Sequence, residues 1–318
     1  MASDDSPTAE QWDKLCRGVK ASLLPEMGEE SWYLIIATVL TTSPRPHLLA
    51  DFWTYLTTTR GAQAEFATDE AQTRLSDRLR DVMLKLLTLI GAPQMLSALI
   101  PLAKVQTAGK GEEARGELDL EQWSTTSLPS LHQRGIETIT SIYGTLWPTI
   151  FRSFGPHRRD VGLHELTIVY GLYLSDFGVL SALETEVVAY TCITAQGLRG
   201  PALWHVRGLG RVLGARGGEG DSKSNDEKET ETKTETKPES ETETATKTKP
   251  ESDSRSEPPQ ISRIKDVLRG VRAAVARAVE FCGPEMVQRS RLDGGPDGTQ
   301  GWPDVDDVVG LGGWGDDE

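Results

Sequence analysis

Two neighbouring segments decide the fold of this chain: LSALETEVVAY at 180–190 and QGLRGPALWHVRGL at 196–209. Their pattern predicts one helix over 181–196 and, after a tight turn at 197–200, a second helix that begins at Pro201 and ends near Leu213. Proline is well placed in a first helical turn, and Gly214 is well placed just beyond the end of a helix. The two segments therefore predict a helical hairpin.

The same helical periodicity extends over most of the chain, with apolar residues at spacings of three and four. Alternation of β-branched residues is scarce. Helices are predicted over 11–24, 29–40, 47–58, 69–90, 93–105, 130–143, 146–154, 160–175 and 261–281. The sequence therefore predicts an all-α fold with one sizeable core or two small ones.

Most of the net charge of −14 comes from two segments. Residues 217–260 contain 13 acidic and 7 basic residues and no Val, Ile, Leu, Met or aromatic residue, and residues 293–318 contain 8 acidic residues and no basic one. Such compositions bury too little apolar area to offset the entropy of ordering. We expect a disordered Glu/Thr/Lys insertion at 217–260 and a disordered acidic tail at 293–318.

The remainder of the chain is neutral overall, which argues against a basic surface for nucleic acid or an anionic membrane. The longest apolar run, 83–105, is interrupted by two lysines and two prolines, so no membrane-spanning helix is expected. The first ten residues show no targeting pattern. The cytoplasm is the default location, with peroxisome and mitochondrion left open.

The helical pattern resumes after the insertion, so 66–216 and 261–292 are predicted to form one helical domain, on which an N-terminal helical region at 1–65 packs. The acidic tail contains Trp302 and Trp314. They are either a short adhesive motif or without a role.

The segments at 180–190 and 196–209 resemble the carboxymuconolactone decarboxylase and alkylhydroperoxidase D-like family. In that family a leucine, one or two acids and an apolar helix precede a turn and a helix that bears a histidine. The stretches RDVMLKL at 80–86 and LIGAPQ at 89–94 resemble the opening of such domains, particularly divergent members of fungal type. The resemblance covers about 75–281 without the insertion. It implies an alkylhydroperoxidase D-like helical bundle, for which we expect a homo-oligomer.

The thiol peroxidase branch of that family has two cysteines between its glutamate and its histidine. Alignment on Glu186 and His205 places Leu198 and Pro201 at the cysteine positions. Because such a peroxidase needs a thiolate nucleophile and a resolving thiol, that activity is not expected. The three cysteines, Cys16, Cys192 and Cys282, are isolated in the sequence. They indicate free thiols in a reducing compartment and exclude a cysteine-based zinc site.

The resemblance implies that Glu186 and His205 are the catalytic residues. A carboxylate beside an imidazole holds the tautomer of the ring and raises its basicity, which suits proton transfer on a small carbonyl or lactone substrate. Neither a cofactor nor a metal is expected, because His164-Glu165 has no second histidine at the helical i+4 position.

Three alternatives stay open at this point. In the first, Glu186 forms a structural ion pair with Arg207 or Arg211. In the second, the protein is a catalytically silent helical module for oligomerisation or partner binding, and in the third it is an unrelated helical adaptor that shares only the sequence pattern. A polar, enclosed pocket that contains Glu186 and His205 would favour catalysis, whereas flat apolar packing of both residues would favour the silent module.

Overall fold

The computed structural model describes residues 6–58, 64–106, 127–217, 258–295, 298 and 300–315. The α-helices within these ranges are α1 (Ala9–Ser22), α2 (Ser31–Thr42), α3 (Leu48–Thr58), α4 (Asp69–Ile90), α5 (Ala92–Gln106), α6 (Leu128–Tyr143), α7 (Trp147–Ser153), α8 (Arg158–His164), α9 (Ala182–Ala195), α10 (Arg199–Val212), α11 (Pro259–Phe281) and α12 (Pro284–Ser290). No strand occurs in these ranges. The predicted all-α class is therefore confirmed, while most of the predicted insertion at 217–260 lies outside the described residues.

Helix α2 forms the centre of the main core, and all twelve of its residues are buried. It packs against α4, α5, α9 and α11, and α1 packs against α11. One apolar cluster contains residues from both sides of position 65, the predicted end of the N-terminal region. The same cluster contains residues from both sides of the undescribed 218–257. Among the described helices, none combines the length and the apolar character needed to cross a bilayer.

A second, smaller cluster forms where α6 packs on the segment after α8. The predicted helix over 160–175 is in fact α8 followed by a π-helix over Glu165–Leu174. Wider π turns bring residues five apart onto one face. The cluster contains Ile139, Ile142, Tyr143, Ile150, Leu166, Tyr170 and Leu174. Two of these residues are tyrosines, whose hydroxyl groups need partners inside the protein.

The prediction of a disordered tail at 293–318 is wrong for the residues that the structure describes there. A 3₁₀-helix spans Val305–Leu311 and begins with a capping box at Asp304. Four apolar side chains of the segment are buried against α10 and α11, namely Trp302, Val305, Val308 and Trp314, whereas Val309 is exposed. Low average apolar content thus did not prevent packing, because these four side chains pack on the same two helices.

Acidic side chains of the tail also pair with basic groups on the helices beneath it. Asp307 lies 2.8 Å from Arg199, and Asp306 lies 3.0 Å from both Lys265 and Arg269. These ion pairs lower the pKa of the Asp306 and Asp307 carboxyl groups, chiefly through the hydrogen bonds from Lys265 and Arg199. The acidity that suggested disorder therefore contributes to docking.

Candidate active site

The hairpin of α9 and α10 has the form that the sequence predicts, with shifted bounds. Helix α9 begins after Ser181, whose hydroxyl accepts from the Glu184 N–H while the Glu184 carboxylate accepts from the Ser181 N–H. Helix α10 begins at Arg199, two residues before the proline that was predicted to start it. The N–H groups of the first helical turn have no acceptor within the helix, so a proline in that turn loses no hydrogen bond. The earlier start of α10 therefore does not destabilise the helix.

The hairpin brings Glu186 and His205 into direct contact. Oε1 of Glu186 lies 2.8 Å from Nδ1 of His205, and the two residues are 2% and 3% exposed. Gly208 leaves room for the carboxylate, since a methyl group at position 208 would lie 2.5 Å from that same Oε1 atom. The predicted contact is confirmed, and the catalytic role of the two residues stays a prediction.

Two tyrosines extend this contact into a chain of four side chains. The hydroxyl of Tyr143 lies 3.0 Å from Nε2 of His205 and 2.6 Å from the hydroxyl of Tyr170. Tyr143 ends α6, and Tyr170 lies in the π-helix. Neither tyrosine was predicted from the sequence, because no local pattern relates the two residues to the hairpin.

Burial controls the protonation of these phenols. It raises the pKa of Tyr143 and of Tyr170 well above the ordinary value, and the negative charge of Glu186 raises them further. Both hydroxyl groups therefore stay protonated near neutral pH. An ionised carboxylate only accepts, so Nδ1 of His205 donates to Glu186, and Nε2 then accepts from Tyr143 when the ring is neutral.

Two positions at the start of α10 correspond to the cysteines in the thiol peroxidase branch of the family that the sequence resembles. Leu198 is exposed at the helix N-cap, and Pro201 lies in the first turn. The three cysteines are buried elsewhere, and burial raises the pKa of Cys16, Cys192 and Cys282 to about 12. These thiols are therefore protonated near neutral pH and are poor nucleophiles.

Arg207 and Arg211 are buried on α10, and their guanidinium groups contact backbone carbonyls of 141, 143 and 313–315. The Glu186 carboxylate contacts His205 instead. A direct Glu186–arginine ion pair, one of the alternatives left open, is thus not the arrangement seen. Within the described ranges, no group of three or more His, Cys, Asp or Glu side chains is arranged to hold a metal ion.

Two sizeable surface clefts lie away from the pair. An apolar cleft of about 510 Å³ lies between α6 and α8, lined by Leu128, Pro129, His132, Leu163, His164, Thr167 and Ile168. A polar cleft of about 450 Å³ lies beside α2, lined by Glu29, Glu30, Trp32, Tyr33, Glu65, Phe66, Arg74 and Glu184. Neither is lined by Glu186 or His205. The hydrogen-bonded chain is enclosed by protein in this conformation.

Comparison of the chain with protein-family models, with curated proteins and with solved structures finds no match. The function is therefore inferred from the geometry of the four hydrogen-bonded side chains, those of Glu186, His205, Tyr143 and Tyr170.

Proposed function

We propose that this chain is a carboxymuconolactone decarboxylase-like protein that transfers protons on a small carbonyl or lactone substrate and has no thiol peroxidase activity. One observation carries the proposal, namely the buried 2.8 Å contact between Glu186 and His205. This contact orients the imidazole so that its second nitrogen faces Tyr143. An imidazole held in this way has the orientation that a general base needs.

Each residue then has a distinct task. Glu186 keeps the proton of the neutral His205 ring on Nδ1. Nε2 of the same ring then accepts a proton from a C–H group of the carbonyl or lactone substrate. Tyr143 remains protonated, so its hydroxyl can donate to the oxygen on which negative charge develops. Because the pair is enclosed, the proposal requires the protein to open on the Tyr143 side before a substrate reaches Nε2.

Hydrogen exchange into candidate substrates tests this proposal. A panel of small lactones and β-keto acids is incubated with the protein in deuterated water, and deuterium incorporation or loss of CO₂ is followed by NMR. We expect turnover of at least one compound, reduced about 10²–10⁴-fold by His205→Gln and strongly reduced by Glu186→Gln. His132→Gln is the matched control and should keep the activity. Turnover that persists in the His205 and Glu186 variants would contradict the proposal.

A silent helical module is the second candidate, and two observations favour it. The hydrogen-bonding groups of His205 and Tyr143 contact protein atoms, which is typical of structural networks. In addition, α5 exposes Leu96 and Ile100 on successive turns. A protein inactive towards the whole panel, with a light-scattering mass that falls to that of one chain on Ile100→Glu, would support this candidate.

A further inference from the structure

Glu165 is a half-buried residue at the start of the π-helix that also carries Tyr170. In a π-helix, residues five positions apart lie one turn apart on the same side, so Glu165 precedes Tyr170 by one turn. Among the described residues, none forms a hydrogen bond or an ion pair with the Glu165 side chain. A carboxyl group in such surroundings is unusual, because charges removed from water are normally paired.

Within the described part of the chain, the elements around Glu165 bring no cation to its carboxyl group. The π-helix packs against α4, α6 and α8. Lys85 of α4 and Arg134 of α6 donate to carbonyls at the other end of the π-helix. His132 of α6 contacts the hydroxyl of a threonine, and His164 of α8 contacts a carbonyl in its own helix. The remaining charged side chains of α6 and α8 are exposed, namely Glu137, Arg158, Arg159 and Asp160. Burial therefore raises the pKa of the Glu165 carboxyl, and no cation offsets it.

The titratable groups that face Glu165 are the two tyrosines of the hydrogen-bonded chain. Burial is the main reason for the raised pKa of Tyr143 and of Tyr170, and the negative charges of Glu186 and Glu165 raise both values further. The effect of a charge falls off with distance, so the Glu165 carboxyl lies near the two hydroxyl groups. The hydrogen-bonded chain therefore has a carboxyl group at each end.

The hydrogen bonds between these side chains run in one direction. When the His205 ring is neutral, Tyr143 donates to Nε2, so the hydroxyl of Tyr143 accepts from that of Tyr170, 2.6 Å away. A hydroxyl has one donor and two acceptor lone pairs, and no other described residue forms a hydrogen bond with the Tyr170 hydroxyl. Its oxygen can therefore accept a further proton donor. A protonated carboxyl is such a donor, and Glu165 lies on the same side of the π-helix.

We propose that Glu165 is the residue through which protons leave and enter the hydrogen-bonded chain that begins at Tyr170. After His205 takes a proton at Nε2, that N–H bond breaks as the proton passes to the oxygen of Tyr143. Tyr143 gives its own proton to Tyr170, and Tyr170 gives its own to the Glu165 carboxylate, directly or through one water. The products are a neutral imidazole, two intact phenols and a protonated carboxyl, which releases its proton to solvent. The use of this route in catalysis rests on the proposed function.

Exchange of the tyrosine hydroxyl protons with water tests the proposal on the full chain and needs no substrate. NMR of protein with ¹³C-labelled tyrosine rings in mixtures of H₂O and D₂O measures this exchange. Glu165→Gln should slow the exchange of Tyr143 and Tyr170 by about tenfold or more. Formate should accelerate the exchange in Glu165→Ala, where it replaces the missing carboxyl, but not in the unmodified protein. Glu137→Gln, at an exposed position on α6, is the matched control and should leave the exchange unchanged.

Two results with these variants would overturn the proposal. One is exchange in Glu165→Gln that is as fast as in the unmodified protein. The other is slow exchange in Glu165→Ala that formate does not accelerate, which is the result expected if Glu165 only supports the structure.

The pH dependence of the unmodified protein keeps the test decisive if the variants do not fold. The ¹³C signal of the Glu165 carboxyl gives the pH at which this group titrates, which should lie above the ordinary value for glutamate because of burial. The hydroxyl exchange of Tyr170 should slow as the pH rises through this value, because the protonated carboxyl is the form that supplies protons. Exchange that only rises with pH through this range, as hydroxide catalysis requires, would overturn the proposal.

The two proposals fail separately. If the exchange depends on Glu165 and no candidate substrate is turned over, the proton route stands and the proposed function is wrong. If a substrate is turned over while the exchange does not depend on Glu165, only the proton route is wrong.

Discussion

Nδ1 of His205 lies 2.8 Å from Oε1 of Glu186, although the two residues are 19 positions apart and nearly inaccessible to water. A hydrogen bond in such surroundings is electrostatically stronger than in water, and an unpaired group there is costly. Small changes in the atoms around this contact should therefore have measurable effects on stability.

Replacement of Gly208 should disturb this contact most directly. In Gly208→Ala the new methyl group would lie 2.5 Å from Oε1 of Glu186 and 2.6 Å from Cγ2 of Ile142. We expect a loss of about 1–3 kcal/mol in the free energy of unfolding, measured with urea, and a shifted Nδ1–H NMR signal of His205. Gly200→Ala is the control: its methyl group would meet no heavy atom within 4 Å, so the stability should stay equal or rise.

Removal of the Tyr143 hydroxyl should leave two buried groups without a partner. Tyr143→Phe deprives both Nε2 of His205 and the hydroxyl of Tyr170 of their hydrogen bond. We expect a loss of about 1–3 kcal/mol in the free energy of unfolding. Tyr173→Phe, in the π-helix that also carries Tyr170, is the comparison and should cost less. Equal unfolding midpoints for wild type and Tyr143→Phe would show that the bond seen here does not stabilise the fold.

The buried thiols should make the protein sensitive to alkaline pH. Burial raises the pKa of Cys16, Cys192 and Cys282 from 9.0 to about 12, so the folded state holds protons that the unfolded state releases. The stabilisation is complete below about pH 9 and declines as the pH rises towards about 12. Each thiol should contribute a slope of about −1.4 kcal/mol per pH unit within that range.

Urea unfolding at a series of pH values measures this slope. Cys282→Ala should make the decline shallower by about 1.4 kcal/mol per pH unit, since alanine does not titrate. Stability that is unchanged between pH 8 and 10 would mean that the thiols are less protected from water than the structure shows.

Cleavage of the chain between α10 and α11 should leave the fold assembled. Helix α11 buries nine side chains and packs against α1 and α2, so apolar burial holds it without a covalent link. A specific protease site placed within 230–245 would yield two fragments that elute together from a sizing column under native conditions. Separate elution would show that α11 does not belong to the same core.

Much of the helical architecture could be predicted from the sequence, because its signals are local. The predicted helix over 69–90 matches α4 at both ends, where Thr68 caps the start and Gly91 follows the end. The contact of Glu186 with His205 could also be predicted, since only a short turn separates the two helices that carry them. A side-chain spacing within one hairpin is almost a local property.

The remaining parts of the site depend on packing between distant segments. Tyr143 and Tyr170 reach His205 only because α6 and the π-helix pack together beside α10, and nothing near either tyrosine in the sequence indicates that partner.

The C-terminal segment shows the same division. Its sequence alone determined an acidic, glycine-rich chain with isolated tryptophans, and average composition then favoured disorder. Only the tertiary structure decided that Trp314 packs on Gly210 and that the carbonyls of 313–315 accept from Arg207 and Arg211. The physical reason is that helices form from interactions between residues three or four positions apart. The stability of a docked segment depends on the surface that receives it, which the rest of the chain provides.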